Sequence, residues 1–152
     1  TDIPMKKKNK STNPIFGLLL GAVLLTGCGA TGSAFKPVDP IPAGKGVVYV
    51  YRSSSMMGAG VYGTVKANEQ PITKIRNGGY YPYVGPPGNT RFTVKTEATN
   101  EANVMVEKGT AKYLKTTVGM GFFVGHLKFS EVSPQIGRSE IAGCKLLEPL
   151  GQ

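Results

Sequence analysis

Two thiols, Cys28 and Cys144, and one imidazole, His126, are the most reactive side chains of this chain. A zinc site takes about four nitrogen, sulfur or oxygen ligands at defined spacing. One histidine and one further cysteine do not supply them, so neither a metal nor a cofactor is expected. A catalytic thiol would need a neighbouring base, and no supporting pattern surrounds Cys144 or His126. Ser53-Ser54-Ser55 lacks the glycine framing of a nucleophile elbow and reads as a polar loop. Glu97 and Glu101 lie in a polar stretch with no apolar pocket indicated, a poor setting for paired-carboxylate chemistry. Gly119-Met120-Gly121 runs into Phe122-Phe123 rather than a helix bearing a lysine, so it is no phosphate loop. The expectation is a protein that is not an enzyme. Chemistry at Cys28 is of another kind, and its context decides it.

Lys6, Lys7, Lys8 and Lys10 precede an apolar run from Ile15 to Leu25, and small residues then follow from Thr26 to Ala30. This is the layout of a secretory signal, with Met5 as its natural start. A membrane-spanning helix needs about 20 apolar residues to cross ~30 Å of hydrocarbon, and this run is shorter. Leu25-Thr26-Gly27-Cys28 resembles the lipobox of a bacterial lipoprotein signal peptide. The resemblance implies diacylglycerol on the Cys28 thiol, cleavage after Gly27 and a further acyl chain on the new amino group. One chain alone holds a protein to a bilayer only marginally, whereas two or three do so durably. Gly29, where an aspartate would retain such a protein in the inner membrane, implies the outer membrane with the domain facing the periplasm.

Removing residues 1–27 leaves 125 of the 152, enough for one domain with a modest core. That part carries 14 Lys and Arg against 8 Asp and Glu. The basic residues are scattered, which speaks against a nucleic-acid tract and is compatible with mild attraction to anionic lipid or cell-wall polymer. If Cys28 carries lipid, Cys144 has no partner within the chain, and burial is the expected fate of such a thiol.

The chain after Cys28 reads as a tether followed by strands. Residues 28–45 are rich in Gly, Ser and Pro and are expected to be a flexible, lipidated tether. A domain is expected over 46–148. Val47 to Arg52 is apolar almost throughout, as in a central strand covered on both faces. Val61–Lys66, Pro71–Ile75, Tyr80–Val84, Arg91–Thr96, Asn103–Glu107, Lys112–Val118 and a segment with Leu127 and Phe129 follow as strands. Pro71 places the third at a sheet edge, because proline has no N–H for the ladder. Phe92 and Val94 alternate with Arg91, Thr93 and Lys95, the pattern of a half-buried strand. Ser139–Leu147 allows a short helix, weakened by Gly143. The fold expected is all-β: a small antiparallel β-sandwich of about seven to eight short strands with a short C-terminal helix.

Val48-Tyr49-Val50-Tyr51-Arg52, Asn77-Gly78-Gly79-Tyr80-Tyr81, Pro87-Gly88, Val104 to Gly109, Lys112-Tyr113-Leu114 and Ser139-Glu140-Ile141 recur in a recognisable order. On these residues the segment from Lys45 to about Leu147 resembles the small bacterial lipoprotein domains of unknown function 2846. The resemblance implies a compact β domain and membrane anchoring, and it carries over no catalytic residue. Cys144 has no place in the pattern.

Two features suit binding. Tyr80, Tyr81 and Tyr83, with Pro82, Pro86 and Pro87, form an aromatic-proline patch able to stack on sugars or extended peptides. Phe122 and Phe123, between glycines, suit an apolar loop that touches a membrane or a partner. The function expected is that of an envelope lipoprotein held to the membrane by lipid. Its domain binds or scaffolds an envelope protein or cell-wall polymer, with no nucleic acid involved. The alternatives are a structural subunit of a larger envelope complex, or a small periplasmic enzyme or inhibitor.

Overall fold

In the computed structural model, residues 29–121 and 125–151 are described. Cys28, Phe122 and Phe123 lie outside them, and with them the lipidation and phenylalanine-loop expectations. The β-branched and aromatic run Val47 to Tyr51 forms β1 (Gly46–Arg52), buried at every position. A strand with apolar side chains on both faces needs cover on both, so it takes the middle of a sheet. In order through a five-stranded sheet lie β8 (His126–Val132), β7 (Ala111–Gly119), β1, β4 (Gly79–Gly85) and the two-residue β9 (Lys145–Leu146). The four-stranded sheet has β3 (Gln70–Ile75), β2 (Gly63–Ala67), β5 (Gly88–Lys95) and β6 (Thr99–Val106) in that order. Pro71 does lie on an edge strand, β3.

The two sheets face each other as a sandwich. Val48 and Val50 of β1, Val65, Phe92, Val94, Val104, Val106, Leu114 and Leu127 meet between them. Phe92 is 0% exposed and stands edge-on to Tyr83 with ring centroids 5.3 Å apart. The β2–β3 hairpin closes on Asn68 and Glu69, both at positive φ. That pairing matches the right-handed strand twist, and Asn68 is one of the few residue types that adopts it readily.

Three sequence expectations are corrected here. First, the sandwich is not wholly antiparallel: β1 runs parallel to β7, from Val47 opposite Ala111 to Tyr51 opposite Lys115, and β4 runs parallel to β9. Between β1 and β7 the chain visits the other sheet twice, as β2–β3 and as β5–β6, with β4 between them in the sheet of β1. Alternation of side chains reports which face is buried, not strand direction.

Second, the helix α1 spans Pro134–Ile141, earlier than expected. Ser133 caps it by accepting from the Ile136 N–H at 3.4 Å, and Pro134 takes the first turn, where its missing N–H costs nothing. The chain then turns into β9 beside Gly79 and Tyr80.

Third, residues 29–45 are not a free tether. They form a strap over the outer face of the five-stranded sheet. The Ala30 N–H donates to the Asn77 carbonyl at 3.0 Å and that of Phe35 to the Cys144 carbonyl at 3.1 Å. Val38 donates its N–H to the Tyr49 hydroxyl at 2.7 Å, and Lys36 its own to the Tyr80 hydroxyl at 3.2 Å. Phe35 stands edge-on to both of those tyrosine rings, and Val38 and Ile41 pack beside it. The glycine- and proline-rich composition concealed the three spaced apolar residues. Their binding face, built by Tyr49 and Tyr80, is supplied by strands distant from them in sequence or in the ladder.

Candidate functional site

At one end of the sandwich β1 finishes at Arg52 and β7 continues to Gly119. The pairing of β1 with β7 stops at Lys115, so Thr116–Gly119 has no strand on that side. A cleft of about 260 Å³ opens there, lined by Arg52 to Ser55, Met57 and Lys115 to Val118. Arg52 organises it. Only 2% exposed, its guanidinium donates to the Val61 carbonyl and, at 2.6 Å, to the Gly58 carbonyl. Burial pulls its pKa down, yet arginine stays charged. The charge is thus spent on holding the 53–62 loop. Gly58, at φ +67, lies so close to Val118 that a side chain there would collide.

A second charged group lies on the other face of the sheet. Lys115 Nζ contacts Glu140 Oε1 at 2.5 Å, and the Tyr51 hydroxyl donates to Glu140 Oε2 at 2.6 Å. The hydrogen bond from Lys115, then that from Tyr51, holds the Glu140 carboxyl below the usual carboxylate range. Burial, then the bond to Glu140, drives the Tyr51 phenol upward. This triad ties α1 to the sheet. Cys144 is buried beside it, and burial pushes the thiol up to about 11, which removes its nucleophilic form near neutrality. The expected burial of Cys144 is therefore observed.

His126 opens β8, half-buried, with Nε2 3.8 Å from Glu97 Oε2. Glu101 does not join Glu97: it pairs with Arg91 at 3.2 Å. Among the described residues no cluster of three metal-ligating side chains occurs.

The tyrosine patch is divided by strand alternation. Tyr80 points outward under the strap, buried against Phe35, and cannot meet a partner while the strap is in place. Tyr81 and Tyr83 point the other way, half-buried against the sandwich core. Period-two geometry sends successive side chains to opposite faces, so Tyr80 and Tyr81 never shared a surface.

Among the described residues one sheet face has no cover. The inner faces pack on each other, and the strap and α1 cover the outer face of the five-stranded sheet. The outer face of the four-stranded sheet carries Thr64, Lys66, Arg91, Thr93, Lys95 and Thr99 around a shallow hollow of about 570 Å³. Glu69 and Glu101 flank Arg91 at 3.3 and 3.2 Å and fix its guanidinium. The hollow is polar: Glu69 lines it with Arg91, and Lys66 and Lys95 are its remaining cations. The alternation of Arg91, Thr93 and Lys95 gave half of this surface in the sequence. Its neighbours on β2 and β6 needed the strand order.

Sheet order and buried core define a small β-sandwich domain. The chain belongs to the family described as protein of unknown function (DUF2846), which matches residues 42–127, more than half its length. The match runs from the end of the strap to the start of β8, so Ser139-Glu140-Ile141 lies beyond it. No curated protein and no solved structure matches the chain.

Proposed function

We propose that this protein is a lipid-anchored envelope protein whose sandwich is a non-enzymatic binding module. The partner is an envelope protein or cell-wall polymer with an acidic surface. The observation that carries the reading is the asymmetry of the sandwich: one outer face is sealed by strap and helix, and the other, uncovered among the described residues, is lined by Lys66, Arg91, Lys95, Glu69 and threonines. The lysine cluster, apolar run and Leu25-Thr26-Gly27-Cys28 support export and acylation. Arg52 bound to carbonyls and Lys115 bound to Glu140 leave those charges committed to structure, which favours holding a partner over moving protons.

Two measurements test this. The Cys28→Ser variant is expected to lose acyl labelling and leave the membrane fraction; unchanged labelling would refute the anchor. A photo-crosslinker at the exposed Thr99 is expected to capture an acidic neighbour in whole envelopes, and Lys66→Glu with Lys95→Glu to abolish the adduct. An adduct that survives both charge reversals would show that this face is not the binding surface.

A further inference from the structure

The end of the sandwich that carries the cleft also carries unusual exposed apolar side chains. Met56 is 98% exposed, Met57 72% and Met120 92%. Met57 and Met120 line one apolar groove with Val61 and Val118. Three fully or mostly exposed methionines on adjoining loops make a flexible, apolar surface of the kind that accommodates irregular partners. Next to them, Tyr62 lies under Lys74 and Arg76, each 5.2 Å from its ring centroid. Apolar side chains bordered by tyrosine and basic residues have the chemistry of a bilayer interface, where aromatic rings sit at headgroup depth and cations meet anionic lipid. Two acids lie near this end: Glu97 faces His126, and Glu148 lines a cleft with Lys74 and Arg76.

The strap fixes where the chain emerges. Gly29 bridges to Asn77, and Asn77 Oδ1 accepts from the Ser55 N–H at 2.9 Å, one residue before Met56. Lys74 and Arg76 line a second cleft together with Gly29 to Gly32. Gly29, the residue joined to Cys28, therefore lies at the methionine end of the sandwich. From there the strap runs to the far end, where Lys45 accepts from the Gly109 N–H at 2.8 Å. A free segment over 29–45 would reach on the order of 60 Å, enough for the domain to tumble in any orientation. Bound as a strap, it leaves no such reach.

We propose that the methionine end is a membrane-contact surface: with residue 28 acylated, the domain sits directly on an anionic bilayer, with Met56, Met57 and Met120 at the lipid interface and Lys74 and Arg76 at the headgroups. This rests on the anchoring reading above and adds an orientation to it. It also leaves the sheet face that bears Lys66 and Lys95 beside the membrane rather than pressed onto it, because that face runs along the strands and the contact is at their ends.

The test uses the full chain purified from the membrane fraction and reconstituted into phosphatidylethanolamine–phosphatidylglycerol vesicles. Met56→Cys, Met120→Cys and, at the opposite end, Lys108→Cys are each labelled with a maleimide fluorophore; the buried Cys144 does not compete for label. Lipids brominated along the acyl chains serve as quenchers. The expected result is strong loss of fluorescence at positions 56 and 120 and none at 108. Equal quenching at both ends, or none at either, overturns the orientation. If the N-terminal peptide then carries diacylglycerol by mass, the anchoring reading stands alone. A bare Cys28 peptide would sink the anchor; the series repeated in a Cys28→Ser background, where position 28 takes no label, would leave the contact surface standing if quenching stayed confined to 56 and 120, and overturn it otherwise. A bare peptide on a protein that does not bind the vesicles would overturn both.

Discussion

Arg52 has the role in this protein that a hydrophobic residue would have elsewhere: it fills the end of the core, but it does so while satisfying two loop carbonyls. Buried charge without an acid is tolerable only when every hydrogen bond is made. Phe92 is the simpler case. Its ring is sealed between the sheets and Tyr83, so Phe92→Ala is expected to lower stability by about 3–5 kcal/mol, read from urea unfolding. Phe92 was legible as a core residue from alternation alone. Glu140 was not, because its partners Lys115 and Tyr51 come from strands far away in sequence. A carboxyl held below its unfolded pKa adds stability above that value and loses it as pH falls through the folded one. Glu140→Gln is therefore expected to be less stable than the parent at neutral pH. The gap between them should close in acid, below the ordinary carboxylate pKa of about 4.3. A gap of constant size across a pH series of melting curves would show that the triad contributes nothing ionic.

Elements show the same division. β1, β5 and the edge position of β3 were legible, because burial on two faces, alternation and proline each leave a local mark. α1 was misplaced. Its start depends on Ser133 and Pro134, and its seat depends on Gly137, which lies against the Tyr113 ring. A Cβ at Gly137 would come within 2.2 Å of that ring. Gly137→Ala is expected to push α1 off the sheet, at a cost of about 1–3 kcal/mol. A thermal melt unchanged from the parent would mean that the helix shifts freely and that the Lys115–Glu140–Tyr51 tie does not fix it.

For the molecule as a whole, the strap matters most. It turns a sheet with one apolar outer face into a closed unit and places Gly29 at the methionine end. Burying Phe35, Val38 and Ile41, each in part, is worth roughly 3–6 kcal/mol together. Deleting residues 29–45 is expected to remove about that much and to expose Tyr49 and Tyr80, measurable by chemical denaturation and by tyrosine accessibility. A free tether would leave both unchanged. The net basic charge of the chain is likewise legible in the sequence, but the placing of Lys66 and Lys95 on one face is set by which strands adjoin.

Local pattern alone determined that this protein is strand-rich, that Val47–Tyr51 is central, and that Phe92 and Val94 face a core. These follow from side-chain type and period, which act over a few residues. Tertiary structure decided the parallel pairing of β1 with β7, the sealing of one sheet face by the strap, the separation of Tyr80 from Tyr81 and Tyr83, and the meeting of Met57 with Met120. Each of those depends on segments far apart in the chain being brought together, and burial of apolar surface is non-directional: it requires that Phe35 be covered without saying by what.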